Sequence, residues 1–403
     1  MSEPLRLIAP DPVKHRDEML DLIAKVFSHS GYYDFHGRLR EGYYGHSHYD
    51  HAASRIGMLD NKIVTHYGVW DYQMRIGTAQ VRTGGIGVVA THGEYRKRGL
   101  MDMTARASIE AMRTLGYDFT ILFGIWNYYH KFGYTRAWAD TNINAEIKLF
   151  PEMPKGLKTK SAPAKPDDEL AALYNRYHAT STGTAVRPTY RATFYPVDKN
   201  WTCTRWLGKN GKTAGYVLMK LENSRPVVME LVGDIETGLA VIRAEAENRD
   251  AWEVRFEKLP PESDLGRWLR RGTCRVETQY IASGGAMIQL LNLRQTLEKM
   301  AGELGRRLAS SGAKKFSGTL AVGFHKETVG LAIKNGRVKV VSGPVKSAHA
   351  VRAGDALAQL LIGTDDPALV CAQQNIKLTG AAAELLPILF PQQPILLHQA
   401  DRY

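Results

Sequence analysis

The chain has 403 residues, of which 44% are hydrophobic and 23% charged, so a disordered chain and a collagen-like protein are excluded. At roughly 100–200 residues a domain, this length predicts two to three domains. No apolar run reaches the roughly 18 residues of a membrane span, and no membrane association is expected. The N-terminal residues lack a signal-peptide core and the three cysteines lack metal-ligand spacing, which together indicate a cytoplasmic protein with free thiols.

The formal net charge of +12 is typical of proteins that bind an anionic ligand or a nucleic acid. The positive charge is spread over the whole chain, however, and no nucleic-acid-reading motif is present. Nucleic acid is therefore not expected as a partner, and part of the excess charge is assigned to an anionic small molecule.

The first region, residues 1–150, alternates helices and strands. Asp11-Pro12 predicts the start of its first helix, because aspartate caps helix ends and proline suits the first helical position. Apolar and β-branched runs predict four strands, and an amphipathic pattern that ends at Gly116 predicts a helix between the last two strands. The predicted strands cover residues 55–59, 63–70, 79–90 and 119–123, and the helix covers residues 101–115.

Residues 151–167 contain four prolines and four lysines with little apolar content, which predicts a linker. Two further regions, residues 168–285 and 286–403, again alternate strands and helices and include a long helix at 293–308. The expected fold class is therefore α/β (α+β).

The most specific chemistry lies in the loop between the third predicted strand and the following helix. This loop carries three consecutive cations, Arg96, Lys97 and Arg98, followed by Gly99. Backbone N–H groups and the positive end of the helix dipole converge at such a helix N-terminus, where they bind phosphate groups. The pattern indicates a pyrophosphate site, although on these residues alone a solvated basic turn is an equally good interpretation.

The loop lacks the spacing of a Walker loop and of a dinucleotide-binding glycine turn. Its Arg-x-x-Gly-x-(small) spacing instead resembles the acetyl-CoA loop of the GNAT N-acetyltransferases, with Met101 in place of the usual second glycine or alanine. Further along the chain, Tyr129-His130-Lys131-Phe132-Gly133-Tyr134 resembles the Tyr-x-x-Phe-Gly-Tyr segment that follows the fifth strand in that superfamily.

In length and in the pattern of its later regions, the whole chain is similar to GNAT acetyltransferases of the enhanced-intracellular-survival (Eis-like) type. The resemblance implies a catalytic GNAT domain at 1–150, a linker at 151–167, a second GNAT-like domain without the acetyl-CoA loop at 168–285, and a sterol-carrier-protein-like domain at 286–403. Because only the first domain has the loop, one CoA per chain is expected. The resemblance also implies a homo-oligomer, with a hexamer as one option.

The activity implied by the resemblance is direct transfer of an acetyl group from acetyl-CoA to a primary amine. Tyr129 would be the general acid, since a tyrosine with a pKa of about 10 is protonated at neutral pH. Tyr403 would supply its α-carboxylate as the general base, because the chain terminus of this family enters the active site of the first domain. The alternatives are a core aromatic role for Tyr129 and a frayed terminus at Tyr403.

The resemblance also assigns the contacts with acetyl-CoA. The backbone of Val89 and Thr91 is expected to hold the pantetheine and to polarise the thioester carbonyl, while residues 97–102 surround the pyrophosphate. The Asp102 carboxylate is expected to point away from the anionic ligand. The complete set expected to bind acetyl-CoA is Val89, Ala90, Thr91, Arg96, Lys97, Arg98, Gly99, Leu100, Met101, Asp102, Gly124 and Ile125.

The amine pocket is assigned to an aromatic and histidine-rich stretch, residues 31–51. Phe27, Asp34 and Phe35 are the residues expected to bind the amine. The candidate carboxylates for a cationic substrate are Asp34, Asp50 and Asp401. Aminoglycosides, polyamines, lysine side chains and peptide N-termini all stay open as substrates.

Two other interpretations are weighed against this enzyme. His46, His48 and His51 raise a metal hypothesis, but zinc normally needs separated ligand pairs or a rigid facial set, so no metal is expected. A lipid- or sterol-binding carrier-type module with a regulatory CoA site is the alternative function that the third region favours.

Overall fold

The computed structural model describes residues 4–27, 31–40, 48–165, 167–188, 201–341, 343 and 345–402 of the chain. These residues form three mixed β-sheets with associated helices, which confirms the α+β class. Two units are distinguished: the first contains the residues up to Trp138 and Ala282–Gln393, and the second contains Ala139–Ile281 and Pro394–Arg402. None of the helices in the described ranges is long and apolar enough to cross a bilayer.

Among its described residues, the N-terminal part of the first unit has nine α-helices and β-strands. They are β1 (Arg6–Ile8), α1 (Arg16–Phe27), α2 (Tyr32–Arg38), β2 (Arg55–Leu59), β3 (Lys62–Ile76), β4 (Ala79–Thr91), α3 (Leu100–Thr114), β5 (Phe119–Ile125) and β6 (Thr135–Arg136). The second unit consists of β7 (Asp140–Glu146), β8 (Thr159–Pro163), α4 (Asp168–Tyr177), β9 (Thr202–Leu207), β10 (Thr213–Glu222), β11 (Arg225–Val232), α5 (Ile235–Glu247), β12 (Glu253–Phe256), α6 (Asp264–Leu269) and β13 (Cys274–Gln279). The C-terminal part of the first unit consists of β14 (Ser283–Leu290), α7 (Leu293–Ala309), β15 (Ser317–Phe324), β16 (Glu327–Lys334), β17 (Arg337–Val341), β18 (His349–Ala353), α8 (Leu357–Ile362), α9 (Pro367–Gln373), β19 (Lys377–Thr379) and α10 (Ala382–Leu389).

The seven-stranded sheet of the first unit has the order β1-β2-β3-β4-β5-β14-β6. Its neighbouring strands are antiparallel except for β4 and β5, which are parallel and connected through α3. Strand β14 follows the second unit in the sequence and returns to pair with β5. A five-stranded sheet, β17-β16-β15-β18-β19, completes the unit, and α7 packs against both β17 and β4.

Helix α3 forms because its apolar residues recur at helical spacing. Met101, Ala105, Ile109 and Met112 are all buried, and Gly116 follows the helix with a φ of +76° that suits glycine. The predicted helix at 101–115 is thereby confirmed, as is the buried strand that becomes β5. The helix N-terminus lies at the carboxyl end of β4, where the basic loop arrives.

The seven-stranded sheet of the second unit has the order β13-β7-β12-β11-β10-β9-β8, and its parallel pair is β11 with β12. Its core contains Leu239 and Ile242 of α5 packed with Val254 and Phe256 of β12. The C-terminal segment Pro394–Arg402 belongs to this unit. Its Asp401 joins a buried ion cluster, because Arg187 contacts both Asp401 and Glu230.

The predicted start of the first helix is wrong. The Asp11 carboxylate accepts hydrogen bonds from the N–H groups of Val13 and Lys14, which closes a turn, and the helix begins only at Arg16. The proline- and lysine-rich segment predicted as a linker contains β8, which pairs with β9 because an exposed edge strand tolerates both residue types. The predicted domain ranges themselves stay predictions.

Glu303 of α7 joins this helix to the β3–β4 hairpin. Its side chain is only 1% exposed and accepts hydrogen bonds from Arg306, Arg307 and Thr78, the last of which lies in the turn between β3 and β4. Burial alone would raise the pKa of Glu303, but these hydrogen bonds outweigh it and lower the pKa from 4.5 to about 2.

The Glu303→Gln variant is expected to lose about 3 kcal/mol of unfolding free energy at pH 7, because Arg307 then stays buried without its carboxylate partner. The lowered pKa means that this stabilisation is present above pH 4.5 and disappears as the pH falls toward 2. Denaturant unfolding at pH 7 and pH 3 measures both effects, with Glu298→Gln on the exposed face of α7 as the control. Equal stability of Glu303→Gln and wild type at pH 7 would contradict the assignment.

Candidate functional site

The candidate site begins where the hydrogen bonding between β4 and β5 ends. The last pair in the described ladder is Ile86 with Leu122, whereas the two strands continue to Thr91 and Ile125. We call the opening between these strand ends the β4–β5 gap. Backbone groups that face such an opening have no strand partner on that side, and they are available to an extended ligand.

The gap coincides with a bulge in β4. In the ladder with β3, His66 pairs with Ala90 and Gly68 pairs with Gly87, so Val88 and Val89 of β4 both face Tyr67 of β3. Val88 has a φ of +45°, a left-handed conformation that is unfavourable for a β-branched residue. The structure around Val88 must therefore hold it in this conformation.

His66 provides such a contact. Its Nδ1 lies 2.9 Å from the carbonyl oxygen of Val88, and its Nε2 lies 2.8 Å from the hydroxyl of Tyr49. Because a carbonyl only accepts, the network assigns the proton to Nδ1 and makes Nε2 the acceptor for the Tyr49 hydroxyl. The imidazole is fully buried, and this burial lowers the pKa of His66 to about 4, so the ring is neutral at neutral pH.

The basic loop, residues 92–99, connects the carboxyl end of β4 to α3. Arg96, Lys97 and Arg98 are all exposed, and the Arg98 guanidinium lies 5.1 Å from the ring centre of Tyr95. Gly99 adopts a φ of +74°, and among the described residues no side chain caps the helix that follows. The first-turn N–H groups of α3 are therefore available beside three cations, which is the arrangement of an anion site.

Asp102 lies in the first turn of α3, yet its carboxylate is neutralised by cations of the protein. It contacts Nε of Arg106 and Nζ of Lys131, both at 2.9 Å, and these hydrogen bonds lower the pKa of Asp102. The negative charge is thereby compensated locally, as expected for a carboxylate close to an anion site.

Tyr129 lies just beyond β5, at the start of a 3₁₀ turn over Tyr129–Phe132. Its ring packs on Gly124, where a Cβ atom would come within 2.6 Å of the ring carbons, so a side chain at this position would displace the tyrosine. Burial, with smaller contributions from Tyr128 and Tyr134, raises the pKa of Tyr129 above its ordinary value. The phenol therefore keeps its proton at neutral pH.

The structure places the twelve predicted acetyl-CoA residues at this one end of the sheet. Val89, Ala90 and Thr91 form the β4 side of the gap, and Gly124 and Ile125 end β5. The remaining members of the predicted set lie in the basic loop or in the first turn of α3, namely Arg96, Lys97, Arg98, Gly99, Leu100, Met101 and Asp102.

The predicted amine-binding residues are described only in part. The rings of Phe27 in α1 and Phe35 in α2 lie together, with centres 6.3 Å apart. Asp34 is also in α2, but its side chain lies outside the described residues, as does the whole of Tyr403.

Two of the three carboxylates considered for a cationic amine are engaged by protein groups. Asp50 accepts hydrogen bonds from the Tyr117 hydroxyl at 2.6 Å and from the N–H of Ala53 at 3.0 Å. Asp401 lies in the second unit, where its buried carboxylate contacts Arg187 at 3.0 Å.

Of the histidines that raise the metal hypothesis, His46 lies outside the described residues. Within the described part of the chain, no group of three or more His, Cys, Asp or Glu side chains is placed to hold a metal ion.

His66 and Val88 are the features that the sequence pattern missed. The available signal was a histidine within the mostly apolar first half of β3, between Thr65 and Tyr67. What this histidine contacts depends on the pairing of β3 with β4.

The second unit contains a similar opening without the basic loop. The β11–β12 ladder has only two pairs, Val227 with Arg255 and Val228 with Phe256. A cavity of about 190 Å³ lies beyond them, lined by strand residues and by Leu396 and His398 of the C-terminal segment.

The connection from β11 to α5 is much shorter than the basic loop. It consists of Gly233 and Asp234, and the Asp234 carboxylate caps α5 by accepting from the N–H of Thr237 at 2.8 Å. An acidic cap occupies the place where an anion would bind.

Comparison with known proteins gives a family match for the N-terminal part of the chain. Residues 13–137 match the family model described as the acetyltransferase (GNAT) domain, which implies an acyl-CoA co-substrate. Comparison with curated protein sequences finds no significant match.

Solved structures match over the full length. A probable N-acyltransferase from Enterococcus faecalis V583 has 16% identity and a TM-score of 0.76, covering 100% of both chains. A GCN5-related N-acetyltransferase from Anabaena variabilis has 14% identity and a TM-score of 0.78, covering 99% of this chain and 100% of its own. Eis1 from Mycobacterium abscessus has 12% identity and a TM-score of 0.72, with the same coverage. Residues 13–137 thus match the GNAT acetyltransferase domain, and the chain as a whole has the fold of the Eis-type proteins, two GNAT-like domains followed by a C-terminal domain.

Proposed function

We propose that the protein is an acetyl-CoA-dependent N-acetyltransferase that transfers the acetyl group directly to a primary amine. The observation that carries this proposal is the coincidence of the β4–β5 gap, the exposed basic loop and the N-terminus of α3 at one end of the sheet. An extended ligand with a pyrophosphate at one end fits this combination of backbone groups and positive charge.

The basic loop is proposed to bind the pyrophosphate of acetyl-CoA. Arg96, Lys97 and Arg98 supply positive charge, and the N–H groups of the first turn of α3 supply hydrogen bonds. Because the Asp102 carboxylate is paired with Arg106, it adds little repulsion, and its backbone can still donate.

The β4–β5 gap is proposed to take the pantetheine and the thioester. The backbone of Val89, Ala90 and Thr91 would hold the ligand on one side, with Gly124 and Ile125 on the other. An N–H group directed at the thioester carbonyl would stabilise the negative charge that develops on its oxygen during attack.

The chemistry is a direct transfer. The amine nitrogen attacks the thioester carbonyl carbon, a C–N bond forms, the C–S bond breaks, and the thiolate of CoA takes the Tyr129 proton. The general base is proposed to be the α-carboxylate of Tyr403, which accepts a proton from the amine. This last assignment depends on the resemblance alone, because Tyr403 lies outside the described residues.

The acceptor is proposed to be a primary amine bound near Phe27 and Phe35, with Asp34 as the carboxylate for its charge. The choice of Asp34 comes from the sequence, and the other two candidates, Asp50 and Asp401, are engaged by protein groups. A homo-oligomer and a cytoplasmic location are further proposals from the resemblance and the sequence.

The direct test is a thiol-release assay with acetyl-CoA and a panel of aminoglycosides, polyamines and lysine-containing peptides. Release accelerated by an amine, together with the acetylated product in mass spectrometry, supports the transferase. Binding of acetyl-CoA without acceleration by any amine would instead favour a carrier-type module with a regulatory CoA site.

Arg98→Ala is expected to weaken CoA binding by about 1–3 kcal/mol, because a charge-assisted contact with the pyrophosphate is lost. Isothermal titration calorimetry measures this affinity, and it is also expected to saturate at one CoA per chain, since the second unit has the acidic cap at Asp234. Arg113→Ala, at the other end of α3, is the matched control. Unchanged affinity in Arg98→Ala would remove this residue from the site.

Tyr129→Phe is expected to lower kcat by about 10²-fold with little change in CoA affinity, because it removes a proton donor and almost no surface. The raised pKa of Tyr129 also predicts that wild-type kcat does not decline between pH 7 and 10 through loss of this proton. Steady-state kinetics across this range measures both, with Tyr128→Phe as the control. A phenylalanine variant with wild-type kcat would exclude Tyr129 as the general acid.

Residues added after Tyr403 are expected to lower kcat by about 10²-fold, because they convert the proposed carboxylate base into an amide. The comparison is turnover by untagged, N-terminally tagged and C-terminally extended protein, with CoA affinity expected to be equal in all three. Equal turnover in all three would contradict the Tyr403 carboxylate as the base. The remaining candidates would then be His92, His130 and a bound water.

A further inference from the structure

We propose that His66 is a positioning residue for acetyl transfer: its bond to the Val88 carbonyl directs the Val89 N–H into the β4–β5 gap. The inference rests on the proposed function, because it assigns a task to the backbone group that would bind the thioester oxygen. The evidence is the bulge in β4, the hydrogen-bond network of His66 and the geometry of the peptide unit.

The peptide geometry makes the connection. In a trans peptide, the C=O of one residue and the N–H of the next point in opposite directions. Because the His66 imidazole holds the Val88 carbonyl, the Val89 N–H points away from that ring. Strand β5 lies on the other side of β4, and its ladder with β4 has already ended at Ile86. The gap is thus the open side of β4 to which the proposal assigns the Val89 N–H.

The bond is also needed to hold the bulge. A β-branched residue in the left-handed conformation is strained, and the surrounding contacts must offset this strain. His66 has no exposed surface, and its proton is fixed on Nδ1 because the Tyr49 hydroxyl occupies Nε2. Tyr49 is itself packed edge-to-face against Trp70 at 5.1 Å, so the imidazole has one orientation and one tautomer.

The geometry also separates this role from acid–base catalysis. Both ring nitrogens are occupied by Val88 and Tyr49, and the low pKa of His66 keeps the ring neutral over the working range of an enzyme. His66 thus acts through the backbone, and its replacement should change the rate without adding or removing a titration in the pH profile of kcat.

Two isosteric variants divide the functions of the ring. Asparagine places an amide N–H where Nδ1 lies and can keep the bond to Val88, whereas glutamine places its amide where Nε2 lies and can keep only the contact with Tyr49. We expect kcat of His66→Asn to stay within about 3-fold of wild type, and kcat of His66→Gln to fall by about 10²-fold, as for loss of one oxyanion donor.

The controls distinguish this role from general destabilisation. The affinity for free CoA, which lacks the acetyl group, is expected to change less than about 3-fold in both variants. Met74→Ala, a buried truncation on the same strand, is expected to lower stability while retaining kcat. If His66→Gln has wild-type kcat while correctly folded, the inference is overturned.

A measurement without ligand separates this inference from the proposed function. In protein labelled with ¹⁵N-valine, the Val89 amide resonance of the free protein should move further in His66→Gln than in His66→Asn, because both variants lose the ring current of the imidazole but only His66→Gln also loses the bond to Val88. An unmoved resonance in His66→Gln would overturn the positioning role. If the variants show these shifts but the wild-type protein neither binds acetyl-CoA nor releases CoA, the proposed transferase is overturned and the backbone role of His66 stands.

Discussion

The end of hydrogen bonding between β4 and β5 is the constraint on which the candidate site depends. A strand that separates from its neighbour inside a sheet leaves backbone N–H and C=O groups without their usual partners, at a cost of about 1–3 kcal/mol for each buried group. The bulge at Val88 adds strain at the same place. Because β4 and β5 are parallel and joined through α3, the N-terminus of that helix reaches the same end of the sheet. The opening between the two strands and the positive end of the helix dipole thus meet at one end of the sheet.

The second unit has a similar sheet with a parallel pair and an opening, but it has an acidic helix cap where the first unit has the basic loop. It also has a central parallel pair, β11 with β12, connected through a helix. Its opening is lined partly by the C-terminal segment, whose Asp401 joins Arg187 and Glu230 in a buried cluster. The two-residue connection to α5 ends in Asp234, which caps the helix with negative charge. The connecting loop therefore decides whether this end of a sheet suits an anion, while the sheet itself only provides the opening.

Local signals were sufficient for the elements that carry the basic loop. The apolar spacing in α3, the left-handed glycine after it and the apolar run of β5 are determined by neighbouring residues, so the sequence predicts them. Asp11 shows the limit of local reasoning, because its carboxylate closes a turn with the same kind of bond that would cap a helix. The pairing of β14 with β5 and the bond from His66 to Val88 join residues distant in sequence, and they follow from strand register that no local pattern contains.

The raised pKa of Tyr129 appears at first to oppose its proposed role, since a weaker acid gives up its proton less readily. The cause of the shift removes the difficulty. Burial raises the pKa of Tyr129 because a phenolate is poorly solvated there, and the thiolate of CoA would be destabilised in the same surroundings. Both acids are weakened together, so their difference, which sets the free energy of proton transfer, changes less than either value. The packing of the ring on Gly124 then matters more than its acidity, because the donor must already be in place as the C–S bond breaks.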